Sequence, residues 1–316
     1  MAFAATKTLG LSVSLLFCAA LAGALPATPE IQTTNVLPAR VLHGYLMIIG
    51  VTIDGSGPFD FLVDTGTNTT LIDPVLARDL SLQSRDRLQL ASLASSAAVP
   101  RYFLKKFTAG PASISNLEAL AIPLTQLTVL DRRIRGVLGM NFLLHFSFRL
   151  DFDRPSLELY PSPENAPVPM GLRVPLTINE SRLLVSVAST AAPNGIWKLA
   201  LDSGISQPLV FEHRLSQLVA SRGAQKTSRM MQVSTNLAEH SAYLLEVADF
   251  AIASARLPQI EVVVLRNDQP KVSDPQDGLL PAAMFHSVFF DRITATLVLT
   301  PSPESESLTA LQPPQP

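Results

Sequence analysis

Apolar positions along this chain come in short blocks broken by Gly, Pro, Asn and Asp, without the three-to-four spacing of amphipathic helices. The clearest block, Tyr45-Leu-Met-Ile-Ile-Gly-Val-Thr-Ile53, predicts a strand. The turn Asp54-Gly-Ser-Gly-Pro58 then leads to a second strand, Phe59-Asp-Phe-Leu-Val63. The order recurs later: Leu183-Leu-Val-Ser-Val187, the turn Ala192-Pro-Asn-Gly195, then Ile196-Trp-Lys-Leu-Ala-Leu201. Each second strand runs into an Asp-hydroxyl-Gly triplet, Asp64-Thr65-Gly66 and Asp202-Ser203-Gly204. Gly136-Val-Leu-Gly139 follows Asp64 by 72 residues, and Gly278-Leu-Leu-Pro281 follows Asp202 by 76. An aromatic-rich strand pair comes after each, within 142–159 and 285–299.

Two copies of one order of elements mean a duplicated unit. The pattern predicts an all-β protein, mainly strands with a few short helices, the helices lying only after each triplet. Asp73-Pro74 is a cap and first-turn pair for the first of them. The Pro-rich stretch 161–169 reads as a linker between a first lobe at 36–160 and a second at 170–300, and the Pro-rich segment 301–316 as a disordered tail.

Composition sharpens this. Of the 316 residues 47% are hydrophobic and 16% charged, which is ample for a core and argues against long disorder. The net charge of −2 comes with no Lys/Arg-rich run, so nucleic acid is not an expected partner. Lys7, the apolar run Leu9 to Ala22 and the small-x-small site Ala22-Gly23-Ala24 read as a signal peptide at 1–24. That run is shorter than the roughly 20 residues a membrane-spanning helix needs, so no stable membrane insertion is expected after cleavage. The expected location is exported, periplasmic or extracellular. The single cysteine, Cys18, lies in this segment and follows the bulky Phe17, against lipidation. A mature chain without thiols has no disulfide, cysteine nucleophile or thiolate metal site, and an exported protein of that kind fits a bacterial envelope.

An apolar strand ending in Asp-Thr/Ser-Gly, followed by an apolar-apolar-Gly motif, resembles the pepsin and retropepsin aspartic proteases. Phe61-Leu-Val-Asp64-Thr-Gly-Thr67 together with Gly136-Val-Leu-Gly-Met-Asn-Phe142 is similar to bacterial retropepsin-type domains, and the resemblance covers roughly 44 to 299. It implies a bilobal pepsin/retropepsin-like acid protease fold in which each lobe supplies one aspartate, here Asp64 and Asp202. It implies further that Thr65 and Ser203 cross-brace the two loops, that Gly66 and Gly204 allow the turn and close approach, and that the Thr67 hydroxyl bonds the carboxylate from outside. Gly136, Leu138, Gly139, Gly278 and Leu280 are implied to pack behind the loops. Two carboxylates a few ångströms apart cannot both ionise, so one acts as base and the other as acid on a water, with no metal or cofactor.

The second copy departs from the pattern. Ile205 stands where pepsins carry a hydroxyl and retropepsins alanine, and Pro281 replaces the glycine of the later motif. The stretches where the family has its flaps, with tips at Ser95-Ser96-Ala97 and Ser234-Thr-Asn236, contain no glycine, and Tyr102 reads as strand packing. His145 and His286 occupy similar places in the repeats, which suggests one shared packing role. Asp151 and Asp153 read as turn or rim charges, and Asn68 and Asn179 fit the glycosylation pattern. The expected function is a secreted aspartic endopeptidase acting on extended polypeptide, a monomer with an intramolecular dyad. One alternative is a catalytically impaired protein of the same fold that binds peptides. Another pairs the first lobe in a homodimer.

Overall fold

The computed structural model describes residues 29–31, 35–91, 96–162, 166, 167, 169–217, 219, 230–234, 239–257, 259–266 and 275–301. The signal-peptide reading, most of the Pro-rich tail, Ser95 and Thr235-Asn236 lie outside them. Strands dominate, as the residue pattern implies, and their pairing divides into three regions.

In the first lobe Leu46–Ile53 pairs antiparallel with Ser56–Val63. The hairpin closes at Asp54-Gly55, whose φ values of 50° and 82° match the right-handed twist of the strands it joins. Met47, Ile49, Val51 and Ile53 enter the main core while Leu46 and Ile48 enter a second cluster, so this strand is buried on both faces. That explains its largely apolar sequence. Ser56–Val63 also lies parallel to Ile134–Leu138, which runs antiparallel to Thr70–Ile72. Pro74–Asp79 forms the expected helix, and the Asp73 carboxylate accepts the Val75 amide at 2.6 Å. Helices at Thr125–Leu130 and Met140–Leu143 correct the expectation that helices follow only the triplets; both are too short to show helical periodicity.

The second lobe repeats the core of this arrangement. Arg182–Ala188 pairs with Ile196–Asp202, which is parallel to Gly278–Pro281, itself antiparallel to Leu209–Phe211. Each lobe also carries a long hairpin, Asp86–Ala91 with Ser96–Ala109 in one and Met230–Ser234 with Glu239–Val247 in the other. Tyr102 lies opposite Ala119 on the neighbouring strand and packs on the main core.

The third region is shared. Val36–Pro38, Ser156–Tyr160 and Ser147–Asp151 come from the first half, and Phe285–Asp291, Thr296–Pro301 and Leu172–Asn179 from the second. They form one six-stranded antiparallel platform, joined where Phe148 faces Phe290 and Leu150 faces Val288. Alternate side chains, among them Phe148, Leu150, Leu157, Val288, Phe290 and Leu297, enter a core that also holds Phe61 and Trp197 from the separate lobes. The halves are therefore welded by strand pairing and by a common core. His145 and His286 do not share a role. His145 is half-buried beside Phe146, which lowers its pKa, whereas Nδ1 of His286 meets the Asp153 carboxylate of the other half. Asp151 accepts the amides of Asp153 and Arg154 within its own turn.

Candidate active site

The strand Ser56–Val63 delivers Asp64, and Ile196–Asp202 ends on Asp202. Both carboxylates are buried, 1% and 3% exposed, at the contact between the lobes. The loops are tied by four reciprocal hydrogen bonds across a sequence gap of more than 130 residues. The Thr65 amide donates to Ser203 Oγ at 3.1 Å and the Ser203 amide to Thr65 Oγ1 at 3.1 Å. The Thr65 hydroxyl donates to the Leu201 carbonyl at 2.9 Å and the Ser203 hydroxyl to the Val63 carbonyl at 2.8 Å. Every donor in this brace is buried, so Thr65→Val leaves the Ser203 amide and the Leu201 carbonyl without their bonds. The expected cost is about 1–3 kcal/mol in urea unfolding; a change below about 0.5 kcal/mol would show that the brace is dispensable.

Gly66 and Gly204 donate their amides to Oδ1 of their own aspartates at 2.8 and 2.6 Å. Neither is in the left-handed region, so glycine is required at position 66 by space. A Cβ there would lie 2.3 Å from Oδ2 of Asp202, whereas one at Gly204 would lie 3.3 Å from the Asp64 carboxyl. The Thr67 hydroxyl differs from the role implied for it. It donates to the Thr69 carbonyl at 3.4 Å, and the Thr67 backbone amide is the group turned to Asp64. Among the described residues the Gly204 amide is the backbone donor to Asp202, and Ile205, at the place of Thr67, is buried in an apolar cluster with Leu184, Leu209 and Leu279.

Burial raises the pKa of both aspartates. The charge of Asp202 raises Asp64 further, and the Gly66 and Thr67 amides only partly offset this. Asp64 Oδ2 is buried and receives no hydrogen bond from an amide or hydroxyl among the described residues, while the Asp202 carboxyl is within hydrogen-bonding reach of Asp64. Carboxyls so placed can bond to one another only when one of them carries a proton.

The later motifs lie directly behind. The Asp64 amide donates to the Leu138 carbonyl at 3.0 Å. A Cβ on Gly136 would lie 2.2 Å from the Phe61 ring, one on Gly139 2.6 Å from the Thr69 backbone, and one on Gly278 2.0 Å from the Leu209 carbonyl. Leu138 and Leu280 are buried in the main core. Pro281 is accommodated at the end of its strand, opposite Asp202, where it opens the short 3-10 helix Ala282–Met284.

Sequence reading missed Tyr45 as a neighbour of the site. Its phenol pKa is raised by burial and then by the charge of Asp202, and it packs with Leu88, Ala97 and Val99 around one cluster. The turn before it, with His43 at φ 52° and Gly44 at 80°, is the local signal that a specific placement is needed. Asn68 is only 8% exposed, so its sequon has no room for a glycan in the folded chain, while Asn179 is exposed. Among the described residues no cluster of three or more His, Cys, Asp or Glu side chains is placed to hold a metal, and no helix is long and apolar enough to cross a membrane.

Residues 49–142, which contain Asp64 and the 136–139 motif, match the family model described as aspartyl protease. No curated protein matches the chain. Among solved structures, the crystal structure of a retropepsin-like aspartic protease from Rickettsia conorii is similar over 43% of this chain and 97% of its own. The identity is 19% and the TM-score 0.31.

Proposed function

We propose that this chain is an exported aspartic endopeptidase that cleaves extended polypeptide with Asp64 and Asp202 of one molecule. The observation that carries this reading is the pair of buried, interacting carboxyls, each in an Asp-hydroxyl-Gly loop and locked by the reciprocal Thr65/Ser203 brace. The aspartyl-protease match of residues 49–142 supports the choice of a peptide bond as substrate. Export rests on the apolar run ending at Ala22-Gly23-Ala24.

In the reaction, the ionised carboxylate takes a proton from a water as the water oxygen attacks the scissile carbonyl carbon. The proton already on the pair moves to the carbonyl oxygen and gives a neutral gem-diol. One carboxyl then gives its proton to the amide nitrogen while the other takes a proton from a gem-diol hydroxyl, so that the C–N bond breaks, the amine and the carboxylic acid leave, and the pair is singly protonated again. The substrate lies as an extended strand beside the two lobe hairpins, where backbone hydrogen bonds supply affinity.

The test is cleavage of an unstructured protein by the chain after residue 24, at each pH from about 3 to 7, with circular dichroism confirming the fold. Because catalysis needs one proton on the pair, and both carboxyls hold protons unusually firmly, the rate should be highest on the acid side and persist toward neutrality. A folded, pure chain that cuts nothing at any pH overturns the reading in favour of a peptide-binding protein, and the buried Ile205 becomes the first residue to restore to a hydroxyl.

A further inference from the structure

The two lobes hold their aspartate loops by different means. Strand register makes positions comparable. Gly136 faces Ile72 and Val137 faces Leu71, while Gly278 faces Val210 and Leu279 faces Leu209. Thr70 therefore corresponds to Pro208, Gly139 to Pro281 and Asn141 to Ala283. In the first lobe these residues form one hydrogen-bonded knot. Asn141 Oδ1 accepts the Thr70 amide and the Thr70 hydroxyl, each at 2.8 Å. Asn141 Nδ2 donates to the Glu118 carbonyl at 2.8 Å, and the Gly139 amide points to Thr70 Oγ1 at 3.4 Å. The backbone amides of Met140 and Asn141 reach the Thr67 and Asn68 carbonyls at 2.9 and 3.0 Å, so the whole loop from Asp64 to Thr70 is stitched to the start of the helix Met140–Leu143.

In the second lobe the knot is missing at every position at once. Pro208 has neither the amide nor the hydroxyl, Pro281 has no amide, and Ala283 has no acceptor. Packing takes over, with Ile205 and Leu209 in a buried apolar cluster. Within one chain, the donors and the acceptor are all present in the first lobe and all absent from the side chains and proline nitrogens at the matching positions of the second, as a coupled unit requires.

We propose that Asn141, acting through Thr70, is a positioning residue for Asp64, and that this hydrogen-bonded support belongs to the first lobe alone. The proposal rests on the protease reading for its catalytic consequence. Its structural part stands without it.

The test uses the full mature chain as Asn141→Ala, Thr70→Val, Thr70→Ser and the Asn141→Ala/Thr70→Val double variant, assayed at least 15 °C below each melting point, about the shift that a few kcal/mol produce. Asn141→Ala should lower kcat about 10- to 100-fold with KM within about twofold, because a loop displaced by a fraction of an ångström misplaces the attacking group rather than the substrate. Thr70→Val should fall the same way, and Thr70→Ser, which keeps both donors, should stay near wild type. The double variant should be no slower than Asn141→Ala alone. An unchanged kcat in Asn141→Ala, or losses that multiply in the double, overturns the proposal. If Asn141→Ala does not fold, the contrast between Thr70→Val and Thr70→Ser decides. If the wild type cuts nothing, the protease reading fails, and carboxyl-carbon NMR decides the structural part. An Asp64 titration altered in Thr70→Val but not in Thr70→Ser supports the proposal, and an Asp64 signal unmoved in every variant overturns it.

Discussion

Asp64→Asn and Asp202→Asn are each expected to end peptide hydrolysis, with kcat lower by about 10⁴-fold, the upper end of what a positioned acid or base contributes. Asparagine fills the same space and accepts the same Gly66 or Gly204 amide at the observed 2.8 and 2.6 Å, so the loops should fold. What is lost is the exchangeable proton, and half of a pair cannot be both base and acid. Because the two act as one unit, the double variant should be no slower than either single variant. Stability moves with pH in a defined direction. Both folded-state pKa values lie above those of the unfolded chain, so the stabilisation the pair provides is fully present below the ordinary aspartate value of about 3.9. It is lost as pH rises through the raised folded values. Urea unfolding should therefore show the wild type losing stability relative to the double variant between about pH 4 and pH 7. A difference that stays flat with pH would mean that the pair does not share a proton.

Gly66→Ala should be the next most damaging change, at about 10²-fold, and far more so than Gly204→Ala. The new methyl at 66 would lie 2.3 Å from Oδ2, 2.5 Å from Cγ and 2.8 Å from Oδ1 of Asp202, inside the carboxyl itself. Asp202 has little freedom to turn away, because the Gly204 amide holds it at 2.6 Å and the Thr65/Ser203 brace fixes the loops on both sides. Either the carboxyl leaves its place or the lobes part, and a shift near 1 Å costs about 10²-fold in rate. At 204 the closest approaches are 3.1 Å to Oδ1 of Asp202 and 3.3 Å to the Asp64 carboxyl, which a few tenths of an ångström relieve. Kinetics of the two variants side by side check this. Equal losses would mean that the lobes do not meet as closely at Gly66 as the structure has them.

These effects and the one-sided knot at Asn141 share a theme: a duplicated sequence has become an asymmetric site. Among the described residues Asp64 has two backbone donors and a hydrogen-bonded loop, whereas Asp202 has one and an apolar support. Pro281, a departure from the pattern in sequence, sits in register opposite Asp202 and closes its strand without displacing it.

What the sequence determined by itself was much of what depends on neighbours along the chain. The alternation of apolar blocks and turn residues marks the strands, Asp54-Gly55 the tight hairpin, Asp73-Pro74 the helix start, and the repeated order of triplet and later motif the duplication. Pattern and turn chemistry act over a few residues, so they are legible without coordinates. The tertiary structure decided what depends on how the halves dock. Thr65 and Ser203 find each other only because the lobes meet there, and Phe148 faces Phe290 because two hairpins complete one platform. The same docking sets His286 against Asp153 of the other half, a partner that His145 lacks among the described residues although the two histidines stand alike in the repeats. Thr67 turned its amide instead of its hydroxyl toward Asp64 for the same reason. A side chain's partner is chosen by the competition among all groups brought within a few ångströms, and that set exists only once residues far apart in sequence have packed.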